Sequence, residues 1–125
     1  MRSSKILALG VALCLVGGGA CGPSGPGSFL SRVSGESLGG VLLEVSGVGI
    51  VGFDGRGSTQ VYSAPMAHRQ NTHRVLLIDP QGGDLLFDIQ VTDVGMDLPV
   101  VTVVSAAGTD NATRLPAGIE VRIER

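Results

Sequence analysis

Residues 118–124 read Gly-Ile-Glu-Val-Arg-Ile-Glu, which sends Ile119, Val121 and Ile123 to one side and Glu120, Arg122 and Glu124 to the other. A period of two with charge on one side only is a strand with one face buried and the other in water. Leu85, Phe87, Ile89 and Val91 alternate with Leu86, Asp88, Gln90 and Thr92 in the same manner. No segment after residue 40 carries the stripe of an amphipathic helix. The strands expected on this reading are 41–45, 50–53, 60–62, 73–79, 84–92, 100–105 and 118–124. Short strands at this spacing, separated by turn residues, describe an all-β chain: a small antiparallel β-sandwich of about seven strands. The 125 residues suffice for one small domain and exclude a TIM barrel, a full α/β-hydrolase or a two-domain enzyme.

Pro80-Gln81-Gly82-Gly83 predicts a hairpin, because Pro presets the first turn position and Gly tolerates positive φ. Opposing Asp79 and Asp84 puts Ile78 against Leu85 and Leu76 against Phe87 on the core face. The same register turns Val75, Leu77 and Leu86 outward, and these three are the candidate partner-binding residues.

The N-terminus has a different character. Arg2 and Lys5 precede an apolar run over residues 6–16, followed by Gly17-Gly18-Gly19-Ala20. Positive start, short apolar middle and small-residue exit are the parts of a secretory signal, expected over residues 1–20. Eleven apolar residues make a helix of roughly 16 Å, about half a hydrocarbon core. Gly18-Gly19-Ala20-Cys21 resembles the lipobox of bacterial lipoprotein signals, departing from it at Gly18, where Leu is commonest. The resemblance implies cleavage between Ala20 and Cys21, lipidation of the Cys21 thiol and attachment to a membrane of the cell envelope. Cys14 leaves with the signal, so Cys21 then has no disulfide partner. The alternative is an ordinary signal cut near Ala20, giving a soluble periplasmic or secreted product. Residues 21–40 follow as the lipidated cysteine and a Gly/Ser/Pro tether, of which 19 residues would span roughly 25 Å as a coil. Phe29 and Leu30 stand out from it as an early strand or lid. The β-domain is expected over residues 41–125.

Charge and motifs exclude most chemistry. Nine basic against 11 acidic side chains leave no basic footprint for nucleic acid. Export removes Arg2 and Lys5, leaving 7 against 11, a balance unsuited to holding anionic lipid by charge. Residues 47–52 match G-x-G-x-x-G, but Phe53-Asp54-Gly55-Arg56-Gly57-Ser58 cannot supply the helix that receives a pyrophosphate. Residues 35–39 match G-x-S-x-G without the strand, helix and oxyanion donors of a nucleophile elbow. His68 and His73 lie in or beside a loop without Cys or a neighbouring carboxylate, a poor zinc site. Asp93-Val94-Gly95-Met96-Asp97 lacks the oxygen density of a calcium loop and reads as a turn. Asn111-Ala112-Thr113 fits a glycosylation sequon, whose usual meaning lapses in a bacterium. No nucleophile–base pair, metal cluster or small-molecule cofactor site is expected, and the chain is not read as an enzyme.

The order of segments 40–47, 74–78, 84–94 and 100–107, with a Gly turn between the second and third, resembles cohesin-like modules. These belong to the β-sandwich superfamily that also includes carbohydrate-binding modules. The resemblance implies a non-catalytic module docking an envelope or extracellular protein on one sheet face, or serving a structural role. The alternative is a small carbohydrate-binding domain. Sugar recognition relies on exposed aromatic rings, and this chain has no Trp and only Phe29, Phe53, Tyr62 and Phe87.

Overall fold

The computed structural model describes residues 24–125. The expected signal, Ala20 and Cys21 lie outside the described residues. Nine strands follow in order: β1 (Gly27–Ser34), β2 (Leu38–Ser46), β3 (Ile50–Gly55), β4 (Gln60–Pro65), β5 (Thr72–Ile78), β6 (Leu85–Val91), β7 (Val100–Gly108), β8 (Thr113–Arg114) and β9 (Glu120–Glu124). A single 3-10 turn, Pro116–Gly118, separates the last two. All pairings are antiparallel. One sheet has the order β3-β6-β1-β9 and the other β4-β5-β2-β7-β8.

The pairing is nested. β4 pairs with β5, β3 with β6, β2 with β7 and β1 with β9, each pair enclosing the one before. Added contacts of β1 with β6 and β2 with β5 divide this long folded ribbon into two sheets. Only β4–β5 and β7–β8 are hairpins; the other connections arch from one sheet to the other. The two inner faces close over one core. Val41, Leu43, Val45, Val75, Leu77 and Ala106 come from the five-stranded sheet, and Phe29, Val33, Leu85, Phe87, Ile89 and Val91 from the four-stranded one. Each large aliphatic or aromatic side chain withdrawn in this way is worth about 1.5–3 kcal/mol of transfer free energy.

All seven expected strands are present with ends shifted by at most three residues in either direction, Gly118 falling in the 3-10 turn before the last, and the all-β sandwich is the observed fold. Three expectations need correction. First, residues 27–40 are not tether. Phe29, Ser31 and Val33 point into the core, and β1 lies between β6 and β9 in its sheet. Second, β8 adds a short edge strand. Third, Pro80-Gln81-Gly82-Gly83 does not close a hairpin, because β5 and β6 belong to opposite sheets. Gly82 (φ 77°) and Gly83 (φ 96°) take the left-handed conformations that turn the chain across the sandwich. The buried Asp79 carboxylate steadies this arch by accepting the Gln81 N–H at 3.0 Å and the Ser58 hydroxyl at 2.9 Å.

The connections gather at two ends. At the entry end, where residue 24 begins, lie segments 47–49, 66–71 and 92–99. At the far end lie segments 35–37, 56–59, 79–84 and 109–119.

Candidate docking face

Crossing rather than hairpin topology reverses the expected surface. Val75 and Leu77 are fully buried, because β5 packs its odd-numbered side chains against the opposite sheet. Leu86 does face outward, but from the four-stranded sheet, where its register partner is Arg32. The three expected partner-binding residues therefore form no common patch. Leu76, expected in the core, instead reaches the surface, as does Arg74 two residues before it.

The outer faces of the two sheets differ in chemistry. On the four-stranded sheet, Arg56 donates to Asp88 at 2.8 Å, Arg122 donates to Glu120 at 2.9 Å, Gln90 donates to Asp54, and Arg32 lies 3.7 Å from Asp84. This is a solvated polar face. On the five-stranded sheet, Tyr62, Leu76, Leu42 and Ser105 form one cross-strand row. The next row toward the far end is Gln60, Ile78, Gly40 and Ala107. The row toward the entry end holds Glu44, whose carboxylate accepts from Arg69 at 2.7 Å and Arg74 at 3.4 Å. The hydrogen bond from Arg69, helped by both guanidinium charges, lowers its pKa.

A groove of about 670 Å³ runs over the two apolar rows. Its floor is low because Gly40 stands between Ile78 and Ala107 without a side chain. Pro80 of the arch forms one wall. The other comes from the β7–β8 turn, with Thr109 and Asn111, the latter in the left-handed region at φ 64°. Asn111 N–H donates to Gly108 O at 3.0 Å and Thr109 N–H to Ser37 O at 2.9 Å, fixing the wall to the sheet. An aliphatic floor with a polar rim suits a docked apolar side chain flanked by hydrogen bonds.

The remaining sequence motifs resolve into local structure. Residues 47–49 form an arch with Gly49 at φ 80°, followed by β3 and not by a helix. Residues 35–37 form the β1–β2 arch, with Ser37 at φ 49°. Asp93 is a turn residue, accepting Gly95 N–H at 2.8 Å and Gly25 N–H at 2.9 Å. His68 is exposed, whereas His73 packs edge-on against Phe53 with ring centroids 5.4 Å apart. Among the described residues, no three His, Cys, Asp or Glu side chains are grouped as a metal site. Tyr62 is the one exposed aromatic ring among them, at 56% exposure. Pro80 read as part of a turn, Asn111 as part of a sequon and Gly40 as the end of the tether; no motif joins the three, because they meet only through the sheet crossing.

Comparison with known proteins finds no matching family model, curated protein or solved structure.

Proposed function

We propose that this chain is a non-catalytic exported lipoprotein, anchored through Cys21, whose β-sandwich docks an envelope or extracellular protein. The observation that carries the docking role is the contrast between the outer faces: polar contacts and ion pairs on the four-stranded sheet, and on the five-stranded sheet ion pairs confined to the Glu44 row, with an aliphatic row beside a 670 Å³ groove toward the far end. The cohesin-like resemblance points the same way, since such modules dock partners on one sheet face. The lipobox-like Gly18-Gly19-Ala20-Cys21 and the lack of a disulfide partner for Cys21 after signal removal support the anchor. A carbohydrate platform is less well supplied, with Tyr62 as its single exposed ring.

Two variants test the two halves. Cys21→Ser is expected to move the protein from the membrane to the soluble fraction, and unchanged partition defeats the anchor. Crosslinking in the native cell is expected to trap a protein on the wild type and on Arg32→Ala, and to lose it on Leu76→Asp. A crosslinked product indifferent to Leu76→Asp removes the docking face. Retention on insoluble polysaccharide, lost in Tyr62→Ala, would favour the carbohydrate reading instead.

A further inference from the structure

The entry end carries a second set of exposed apolar side chains, separate from the groove and interspersed with the exposed Asp97 and the polar loop 66–71. Val48 (62% exposed), Val51 (64%), Met96 (39%), Leu98 (37%) and Val100 (66%) all lie there. They come from three segments: the β2–β3 arch with the start of β3, the 92–99 arch, and the first residue of β7. Single exposed apolar residues need no explanation, but five collected on one end of a small domain do.

These segments form a fixed platform. Gly47 N–H donates to Asn71 O at 2.9 Å, Thr92 N–H to Gly49 O at 2.9 Å, and Val94 N–H to Gly25 O at 2.9 Å. Arg125 Nη1 donates to Val94 O at 2.8 Å. Gly47 lies so close to Pro99 that a Cβ there would come within 3.3 Å of its ring. The apolar side chains therefore project from a braced end.

The covalent chain connects this end to Cys21. Gly25 is fastened to the 92–99 arch through Asp93 and Val94, and Ser24 stands three residues beyond Cys21. Three residues reach at most about 11 Å even when fully extended. An acyl group on Cys21 thus leaves the domain no room to stand clear of the bilayer, and it is the entry end that faces the lipid.

We infer that Val48, Val51, Met96, Leu98 and Val100 form a membrane-contacting rim that seats in the bilayer interface beside the acyl anchor. This rests on the lipoprotein reading of Cys21. The contact is apolar in origin, because the mature chain, with 7 basic and 11 acidic side chains, has no charge attraction for anionic headgroups. Apolar side chains set in the interface add affinity in proportion to the area they bury, supplementing the acyl chains. The groove, at the far end of the five-stranded sheet, is then presented away from the membrane.

The natural sequence has no Trp, so single-Trp variants report one position each. The acylated full chain carrying Leu98→Trp or Val48→Trp is reconstituted into phosphatidylethanolamine–phosphatidylglycerol vesicles with or without brominated acyl chains. Both reporters are expected to show blue-shifted emission and to lose most of their intensity to bromine. Leu115→Trp, at the far end, is expected to keep water-like emission and escape quenching. Adding Val100→Asp to Leu98→Trp is expected to weaken the quenching without releasing the protein. Reporters that stay unquenched while the protein still floats with the vesicles overturn the rim and leave the anchor standing. A wild-type chain that does not float overturns both.

Discussion

Asp93 shows how one side chain can hold the entry end together. Its carboxylate accepts N–H groups from Gly95, within its own turn, and from Gly25, at the start of the described chain. Those two hydrogen bonds favour the charged form and hold its pKa below the ordinary value of 3.8. The unfolded chain lacks them, so the folded value lies below the unfolded one. The stabilisation from this group is therefore complete above the unfolded value and is lost as pH falls through the folded one. Asp110, which accepts the Ala112 N–H at 3.0 Å, and Glu44, between two arginines, act in the same direction. Urea midpoints measured from pH 6 down to pH 3 are expected to decline, and Asp93→Asn is expected to make that decline shallower. An unchanged slope would mean that the charge on the Asp93 carboxylate contributes nothing. The turn role of Asp93 was legible in its Gly-containing surroundings. Its long-range bond to Gly25 was not, because local chemistry says nothing about which distant amide arrives.

At the scale of the element, alternation located strands well but could not say which sheet each belonged to. In a sandwich both sheets point apolar residues at the same core, so β5 and β6 look alike whether they pair or face each other. Pro80-Gln81-Gly82-Gly83 suits a tight reversal and an arch equally well, and taking it as a hairpin inverted the faces of β5. Of β1 only Phe29 and Leu30 stood out, as an early strand or lid, and the rest was hidden for another reason. Its inward positions read Phe29, Ser31, Val33, and the central Ser in a Gly/Ser-rich stretch broke the apolar pattern. Ser31 is nonetheless fully buried, between Phe87 of β6 and Ile123 of β9 in register. Truncating Phe29→Ala is expected to cost about 3–5 kcal/mol in urea unfolding, as for a buried aromatic. A spacer residue would cost nothing. Leu77→Asp is expected to abolish folding by burying an unpaired charge, while the neighbouring Leu76→Asp keeps the wild-type circular dichroism spectrum. Tolerance of Leu77→Asp would mean that β5 faces the other way.

For the whole molecule, crossing connections separate two apolar surfaces that a meander of hairpins would leave scattered. The entry end collects Val48, Met96, Leu98 and Val100, and the outer face of the five-stranded sheet collects Leu42, Leu76 and Ile78 around Gly40. Neither surface was legible in the sequence, since each is assembled from segments 30 or more residues apart whose adjacency comes from the pairing of β2 with both β5 and β7. Gly40 makes the point testable. In a strand interior, glycine costs stability relative to residues with a side chain, so its presence between Ile78 and Ala107 needs a reason. The backbone does not supply one: its φ is not in the left-handed region, and a Cβ would meet only Leu77 O, at an ordinary 3.6 Å. The open floor of the groove supplies it. Gly40→Val would pack against Ile78 and Ala107 across the sheet and is expected to raise stability by about 0.5–1 kcal/mol in urea unfolding. The same side chain would fill the groove, so the crosslinked protein product is expected to disappear. A variant that gains stability and loses its partner assigns the glycine to docking; one that keeps its partner places docking elsewhere on the sheet. A drop in stability would mean instead that the valine methyls, beyond the Cβ, do not fit between Ile78 and Ala107.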